Sequence, residues 1–181
     1  MTEGELTALL SEPFYEDFAD CAARQVLGAG AVELLYGLVT ARNDQLARSV
    51  RHKVFFRGAY VLDRIYFGDS SHFGPFAAKF CREDFAACSD PSARRHFTKI
   101  MADLLRTYSP AQADLERIAD AAAQWAIDPE AKVAVKIGAV EVLKCCRERI
   151  DWVAESWDDL LSALEQGATP GIENRLRKSW R

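Results

Sequence analysis

Apolar residues recur along the chain with the spacing of three to four positions that is typical of amphipathic helices. Even the apolar run at 54–56 continues into a helical pattern. We therefore predict an all-α protein without strands. After a short lead-in at 2–11, the predicted helices span 14–27, 31–42, 45–67, 71–88, 91–107, 111–127, 130–148, 150–167 and 170–180.

One short motif, Asp-x-x-Ala followed by Arg or Lys, recurs where predicted helices begin. Its copies are Asp44–Arg48, Asp90–Arg94 and Asp128–Lys132, and a degenerate copy, Thr169–Glu173, opens the last segment. An Asp or Thr at the N-cap accepts hydrogen bonds from the N–H groups of the first turn. A proline just inside the helix loses nothing by lacking an N–H. The motif therefore predicts a helix cap at all four positions.

The predicted helices are also regularly spaced. The first helix of each pair begins near residue 31, 71, 111 or 151, a spacing of 40. Among the second helices, 90–105 aligns with 128–143 without a gap, and the cap, apolar and charged positions coincide. Helix pairs repeated at this interval are typical of stacked α-solenoids.

Small residues occupy the middle of two predicted second helices. Gly58 and Ala59 lie in one, and Gly138 and Ala139 lie in another. Because Gly costs about 1 kcal/mol relative to Ala inside a helix, a compensating gain is expected. We predict that Gly138 and Ala139 face a neighbouring helix at short distance, as stacking of helix pairs requires.

With these motifs the chain resembles the HEAT-like (armadillo-type) repeat proteins, whose second helix commonly opens Asp-Pro-x-x-Arg and closes Val-Leu. The resemblance covers 31–181 and implies a right-handed α-α superhelix of about four helix pairs. The N-terminal helix would then be a cap, and 1–181 a single domain. More narrowly, the chain resembles short bacterial HEAT-like proteins of unassigned role, some of which carry an automated adenylosuccinate lyase label. The Ser-Ser-x-Met-Pro-x-Lys-x-Asn loop of that lyase family is absent from the sequence.

Composition points to a cytoplasmic protein. Hydrophobic residues make up 49% and charged residues 28% of the chain, as in ordinary soluble proteins. No apolar run approaches the ~20 residues of a membrane span, and the acidic start lacks the basic region of a signal peptide. The five cysteines include no Cys-x-x-Cys pair, and a disulfide between adjacent Cys145 and Cys146 would be strained. We therefore predict reduced, mostly buried thiols.

The sequence offers no catalytic, cofactor or metal site. The three histidines, His52, His72 and His96, lie on different predicted helices, so a metal site would need ligands that converge from distant segments. No Ser-His-Asp arrangement, phosphate loop or dinucleotide fingerprint is present. The aromatic series Phe73, Phe76 and Phe80 has helical spacing and is predicted to face the core.

The tryptophans raise an alternative. Three of them have acidic residues nearby, in the pairs Trp125 with Asp128, Trp152 with Asp151 and Trp157 with Asp158. HEAT-like DNA glycosylases place tryptophans and an aspartate along a basic groove, so a DNA-binding or glycosylase-type protein is the second hypothesis. These residues lie on or beside first helices, which normally form the outer layer, and this favours packing and capping roles.

Charge is distributed unevenly along the chain. The second-helix segments 44–67, 90–107, 128–149 and 169–181 hold 18 of the 23 Lys and Arg but only 9 of the 27 Asp and Glu. In solenoids, second helices generally line the concave face, so we predict a basic layer that binds an acidic partner. The candidate partner-binding residues are Arg48, Arg51, Lys53, Arg94, Arg95, Lys99, Lys132, Lys136, Arg175 and Lys178.

Two interpretations of these bases stay open. They form either a binding face or a ladder of ion pairs with acids of the neighbouring repeat, such as Asp90, Asp103 and Asp128. As a partner, an acidic protein or peptide is favoured over nucleic acid, because the pI is near 5.5. Exposed aromatic side chains beside the bases would favour nucleic acid, since bases stack on them. The sequence thus predicts a non-enzymatic interaction scaffold and leaves its partner, pathway and oligomeric state open.

Overall fold

The helical periodicity of the sequence is confirmed by the structure, a computed structural model that describes residues 1–41 and 48–181, without the side chain of Arg48. Helix accounts for 76% of the described residues, and none of them forms a strand. The predicted cap at Asp44 and the side chain of the candidate residue Arg48 lie outside the described part of the chain.

The α-helices among the described residues are α1 (Glu3–Ser11), α2 (Phe18–Gly28), α3 (Val32–Thr40), α4 (Arg48–Gly68), α5 (Ala77–Lys79), α6 (Arg94–Thr107), α7 (Gln112–Ile127), α8 (Val133–Cys146), α9 (Asp151–Glu155), α10 (Trp157–Glu165) and α11 (Pro170–Arg175). A 3-10 helix, Ser70–Phe76, precedes α5, and π-helices at Phe80–Asp84 and Leu176–Trp180 follow α5 and α11.

The predicted helix at 71–88 is wrong in type. The segment begins as the 3-10 helix, which contains Pro75, and ends as a π-helix in which the Phe85 N–H bonds to the Phe80 carbonyl at 3.0 Å. Pro75 has no N–H to donate, and this favours a short irregular turn over a continuous α-helix. The predicted burial of the aromatic series is nevertheless confirmed for Phe73 and Phe80. Phe76 is half-buried.

The three copies of the cap motif that the structure describes do not build the same helix start. Asp90 confirms the prediction, since its Oδ1 accepts the N–H groups of Ser92 and Ala93 at 2.9 and 2.8 Å. Asp128 instead accepts the Glu130 N–H in a turn that precedes α8. Thr169 is the N-cap of α11, but its hydroxyl receives no hydrogen bond from the first turn. The predicted side-chain caps at Asp128 and Thr169 are therefore wrong.

Contacts along the chain cluster into two compact units. The first comprises Met1–Ala77 and Ala87–Phe97, and the second comprises Ala78–Ala86 and Thr98–Arg181. In the first unit, the long helix α4 packs against α1, α2 and α3. Fully buried side chains of these helices, Leu6, Leu10, Phe18, Leu35 and Leu62, form its core.

One basic side chain of the first unit has a structural role that its charge alone does not suggest. The Arg57 guanidinium on α4 donates to the carbonyls of Leu10 and Glu12. It also lies over the rings of Phe14 and Phe18, at 5.7 and 5.5 Å from their centroids. Arg57 thereby holds the connection between α1 and α2 against α4, through hydrogen bonds and cation–π contacts.

In the second unit, α7 and α8 pack side by side, and the tryptophans complete the core. Trp125 packs on Phe85 with 4.9 Å between ring centroids, and Trp157 donates its indole N–H to the Trp180 carbonyl at 3.2 Å. Trp152 donates to Glu116 Oε2 at 3.1 Å. The packing role predicted for these tryptophans is confirmed, because Trp125 and Trp157 are buried and Trp152 is half-buried.

Candidate functional site

The predicted partner-binding residues of the first unit lie on α4 and at the start of α6. Lys53 and Arg95 are exposed, whereas Arg51 and Arg94 are half-buried. Arg94 donates its Nε to the Cys88 carbonyl at 3.0 Å. Arg94 therefore supports the turn that leads into α6, in addition to any contact it makes with a partner.

The remaining candidates belong to the second unit. Lys99 is exposed on α6, Lys132 is the exposed N-cap of α8, and Lys136 is half-buried one turn further along. Arg175 and Lys178 are exposed near the C-terminus. The ten candidates are thus divided between two compact units, and most of those described lie on the surface of their own unit.

One ion pair has the form that the ladder hypothesis requires. Arg175 Nη1 lies 3.4 Å from Glu141 Oε1, and the Trp180 indole donates to the same oxygen at 3.0 Å. These contacts join the C-terminal segment to α8. By contrast, the Asp128 Oδ1 named in that hypothesis accepts a local backbone N–H. Asp90 accepts backbone N–H groups and, through Oδ2, contacts the His52 ring.

A second cluster, which we call the α4 stripe, consists of His52, Phe56, Tyr60 and Arg64. The four side chains follow at intervals of four residues and therefore lie along one face of α4. Arg64 lies over the Tyr60 ring, 5.4 Å from its centroid. Although partial desolvation opposes the shift, the charges of Tyr60, Asp20 and Asp63 raise the pKa of Arg64.

The stripe packs against a buried imidazole–carboxylate pair. His96, near the start of α6, contacts Asp63 on α4, with 2.7 Å between Nδ1 and Oδ2. Both residues are only 2% exposed. The His96 ring stacks on Tyr60, with 4.8 Å between centroids, and lies 5.9 Å from the Phe56 ring. A hydrogen-bonded pair at this depth fixes the segment around His96 on α4 within the first unit, because a buried charge or polar group needs its partner.

The pair His52–Asp90 repeats this chemistry at the surface. His52 Nδ1 lies 2.5 Å from Asp90 Oδ2, but the His52 side chain is 54% exposed. An Asp that orients an imidazole is also the supporting half of a hydrolytic triad. His96 is too deeply buried to reach a substrate, however. The sequence signal for this cluster is the four-residue register of His52 with Phe56 and Tyr60, whereas no such register points to His96.

The aromatic residues of α4 bear on the choice between nucleic acid and peptide. Tyr60 is half-buried, stacks on His96 with 4.8 Å between centroids and has the Arg64 guanidinium 5.4 Å from its ring centroid. Phe56 lies between the His52 and His96 rings, at 6.5 and 5.9 Å. Protein groups thus cover part of both rings, and this disfavours the stacking of a nucleic-acid base on them. Phe67, near the end of α4, is 46% exposed.

The cysteines are unbridged thiols, as predicted. Burial raises the pKa of Cys81, Cys88 and Cys146 to about 12, and it also raises the pKa of Cys145. A raised pKa leaves little nucleophilic thiolate near neutral pH. Within the described ranges, no three His, Cys, Asp or Glu side chains come together as a metal site would require.

An open cleft of about 750 Å³ lies in the first unit, beside the turn between α2 and α3. Among the described residues, its lining includes Glu3, Glu33, Leu34 and Leu38 but no Lys or Arg. The acidic side chains of this lining do not suit an acidic ligand.

Among the described residues, no helix has the length and hydrophobicity that a membrane-spanning segment needs. The chain matches no protein-family model, no curated protein and no solved structure. The HEAT-like resemblance therefore stays a prediction.

Proposed function

We propose that this chain is a non-enzymatic interaction scaffold that binds an acidic protein or peptide through its exposed basic residues. The observation that carries the proposal is the division of α6 into two faces. Phe97, Ile100 and Met101 are buried, whereas Arg95 and Lys99 are exposed. Exposed bases of this kind attract an acidic surface and accelerate its association, because their field extends over about a Debye length, ~8 Å at physiological salt.

We further propose that the helices form a right-handed, HEAT-like superhelix of about four pairs, capped by α1, and that the protein works in the cytoplasm. Support comes from the packed pairs α3 with α4 and α7 with α8, each within its own unit. Each pair includes a mid-helix glycine in its second helix, Gly58 or Gly138, at a close helix contact. The contacts differ in partner, because Gly58 meets Val39 of α3 within its own pair, whereas Gly138 meets Thr98 of α6, and it is the second kind that stacking of successive pairs requires.

An acidic protein is favoured over nucleic acid as the partner. The aromatic rings nearest the bases of α4, Phe56 and Tyr60, pack against protein groups. Nucleic-acid binding without sequence preference combines a basic groove with accessible rings. A protein partner needs only complementary charge and shape, so it makes fewer demands on the residues present.

Binding of poly-L-glutamate and of a 20-nucleotide single-stranded DNA tests this proposal. We expect the polypeptide to bind more tightly and its affinity to fall as salt rises. The triple change Lys53→Glu, Arg95→Glu and Lys99→Glu should abolish binding while the melting temperature stays close to that of the parent, because exposed charges contribute little to stability. The matched control reverses three exposed arginines outside the candidate set, Arg24, Arg82 and Arg181.

Three results would count against the proposal. If the control triple weakens binding as much as the candidate triple, net charge and not these residues governs binding. If DNA binds more tightly than polyglutamate, the DNA-binding hypothesis replaces the scaffold for acidic proteins. If the candidate triple unfolds the protein, the bases belong to a structural ladder.

A further inference from the structure

Two aromatic side chains lie exposed in the connection between α1 and α2. Phe14 and Tyr15 are 53% and 44% exposed, and they are adjacent in the sequence, unlike the other exposed large hydrophobic residues of the described chain. Isolated apolar residues are ordinary on a protein surface, whereas apolar groups that lie together are typical of interaction sites. Aromatic residues are also enriched in protein–protein interfaces. The pair is therefore a candidate contact surface.

The fold holds both rings in place. Each packs against the fully buried Phe18, with 5.6 Å between ring centroids for Phe14 and 5.7 Å for Tyr15. The Phe18 N–H donates to the Tyr15 carbonyl at 3.1 Å, and Arg57 of α4 donates to the Leu10 carbonyl at 3.0 Å. Side chains that are already positioned in this way lose little conformational entropy when a partner binds.

Exposed carboxylates flank the aromatic pair. Glu12, Glu16 and Asp17 lie within two residues of it in the sequence, and each is exposed. Among the described residues, none of these three carboxylates belongs to an ion pair. Asp17 is the N-cap of α2, but its side chain makes no capping hydrogen bond. We call the three carboxylates and the aromatic pair the N-terminal patch.

The helices around the patch are also acidic. Residues 1–41, which contain α1, α2 and α3, include seven Asp and Glu but only one base, Arg24. Arg24 contacts a cysteine sulfur of its own helix at 3.1 Å. From α4, Arg64 lies 3.4 Å from Asp20, and the half-buried Arg57 is bonded to backbone carbonyls. The seven carboxylates therefore outnumber the three arginines that contact α1, α2 or their connection.

We propose that the N-terminal patch is the docking surface for an arginine-bearing segment of a basic protein. A guanidinium group has a positive charge that pairs with carboxylates and a flat face that stacks on aromatic rings. Within the chain, Arg57 already makes such a contact, since its guanidinium lies 5.7 Å from the Phe14 ring centroid. The patch shares no residue with the basic set of the proposed function. A scaffold with both surfaces holds a basic partner as well as an acidic one.

The charge of the patch disfavours other occupants. Its carboxylates repel the phosphates of nucleic acid and the headgroups of anionic lipids. They also repel an acidic protein surface. A basic protein segment is the occupant whose charge complements the patch.

An NMR titration of the full chain tests the patch. The probes are two peptides with capped termini. One is Leu-Arg-Gly-Leu-Arg, and the other has citrulline in place of each Arg, which keeps the size of the side chain and removes its charge. In two-dimensional amide spectra, the Arg peptide should shift the signals of Phe14, Tyr15 and Asp17 and bind at least about tenfold more tightly than the citrulline peptide. Its affinity should fall as salt rises.

Matched charge variants separate the patch from the net charge of the chain. Glu16→Gln combined with Asp17→Asn should weaken binding of the Arg peptide about tenfold or more. Glu3→Gln combined with Glu33→Gln changes the net charge equally at two exposed acids outside the patch and should have little effect.

The aromatic pair has its own control. Phe14→Ser combined with Tyr15→Ser should weaken the Arg peptide about tenfold or more. Phe67→Ser, at a ring that is 46% exposed near the end of α4, should not. Thermal melts show whether each variant folds. If the aromatic double variant does not fold, the charge variants still decide the question, because exposed charges contribute little to stability.

Four results would overturn this inference. The first is equal binding of the two peptides, and the second is equal weakening by the two charge variants. The third is a set of shifts confined to residues outside 12–17. The fourth is binding of phosphatidylserine vesicles, and not of the Arg peptide, through the aromatic pair. The triple change Lys53→Glu, Arg95→Glu and Lys99→Glu, which tests the proposed function, should not weaken the Arg peptide, so the two proposals can fail separately.

Discussion

Gly138 of α8 lies directly against Thr98 of α6, a residue with no exposed surface. A Cβ built on this glycine would lie 2.8 Å from the Thr98 Cβ and closer still to its hydroxyl oxygen. Gly58 on α4 has a similar position, because its Cβ would collide with Val39 Cγ1 and lie 3.4 Å from Leu10 Cδ1. In both helices, the absence of a side chain permits close packing of a neighbouring helix.

Replacing Gly138 should therefore destabilise the protein, although Gly is a poor helix former. We expect Gly138→Ala to lower the free energy of unfolding, because the clash with Thr98 outweighs the gain of about 1 kcal/mol in helix propensity. Gly138→Leu should cost about 1–3 kcal/mol or more, as overpacking of a close contact does. Urea denaturation followed by circular dichroism measures both changes.

Gly37 provides the matched control. It also lies inside a helix, α3, but a Cβ there would meet no atom within 4 Å. Gly37→Ala should therefore raise the free energy of unfolding by roughly 0.5–1 kcal/mol, which is the propensity gain without the clash. Equal effects of the two alanine substitutions would show that the contact with Thr98 contributes nothing.

The close contacts of Gly58 and Gly138 were predictable, because a residue that disfavours helix needs a compensating contact. The helices themselves were predictable for the same local reason, since amphipathic spacing operates within one turn. The type of helix at 70–84 was not predictable from the local sequence. The segment has 3-10 geometry around Pro75 and then forms the π-turn closed by Phe80, and both features depend on how the segment packs. The turn at Asp128 shows that a cap motif can specify a turn without specifying the residue at which the helix begins, and Thr169 shows that it can mark the start of a helix without a side-chain hydrogen bond.

The candidate site was predictable to a similar extent. The exposure of Lys53, Arg95 and Lys99 follows from the amphipathic pattern of their helices. The contact between His96 and Asp63 joins residues 33 positions apart and depends on how the segment around His96 packs on α4 within the first unit. Nothing in the local sequence specifies such a pair, although the four-residue register of the α4 stripe indicates the face on which a partner would lie.

Breaking the pair of His96 and Asp63 should be strongly destabilising. Both residues are 2% exposed, so Asp63→Ala leaves a buried imidazole without its carboxylate. The expected loss is about 3–5 kcal/mol in the free energy of unfolding, as for other buried pairs that lose one member. A double-mutant cycle with His96→Ala, measured by urea denaturation, should give a double variant that loses much less than the sum of the single changes.

The exposed pair of His52 and Asp90 supplies the control for the buried pair. His52→Ala removes a side chain that is 54% exposed from its contact with Asp90, and should cost less than about 1 kcal/mol. If Asp63→Ala and His52→Ala have the same effect, burial does not strengthen the inner pair. If the two changes at 63 and 96 are additive, the two side chains are not coupled.

The N-terminal capping box should make α1 sensitive to acid. The Thr2 N–H donates to Glu5 Oε2 at 2.7 Å, and this backbone bond, followed by the contact with the Thr2 side chain, lowers the pKa of Glu5. A lowered pKa in the folded state stabilises the fold above the ordinary pKa of Glu, and this stabilisation is lost as pH falls through the lowered value.

We therefore expect Glu5→Gln to lower the melting temperature at pH 7 and to have a progressively smaller effect towards pH 3. Glu3→Gln, in the same first turn but outside the capping box, should show less of this pH dependence. Thermal melts of the three proteins across the pH range provide the measurement. A difference between Glu5→Gln and the parent that stays constant down to pH 3 would contradict the ionised cap.

The buried thiols should resist alkylation in the folded protein. Burial raises the pKa of Cys81 and Cys146 to about 12, and both side chains are almost completely inaccessible. Relative to an ordinary thiol, a pKa about three units higher gives roughly a thousandfold less thiolate near neutral pH. Iodoacetamide labelling at pH 8, read by peptide mass spectrometry, should modify these two cysteines mainly after unfolding in urea, whereas the half-buried Cys21 should react earlier.

The same pKa shifts give the fold an alkaline limit. A thiol whose pKa is raised in the folded state favours folding below the ordinary thiol pKa, and that contribution is lost as pH rises towards about 12. The unfolding midpoint in urea should therefore fall as pH increases above about 9, the ordinary range of the thiol. The double variant Cys81→Ala, Cys146→Ala should have a lower unfolding midpoint near neutral pH, because it loses buried volume. Its midpoint should decline less steeply as pH rises. Parallel declines in the two proteins would show that other groups set the alkaline limit.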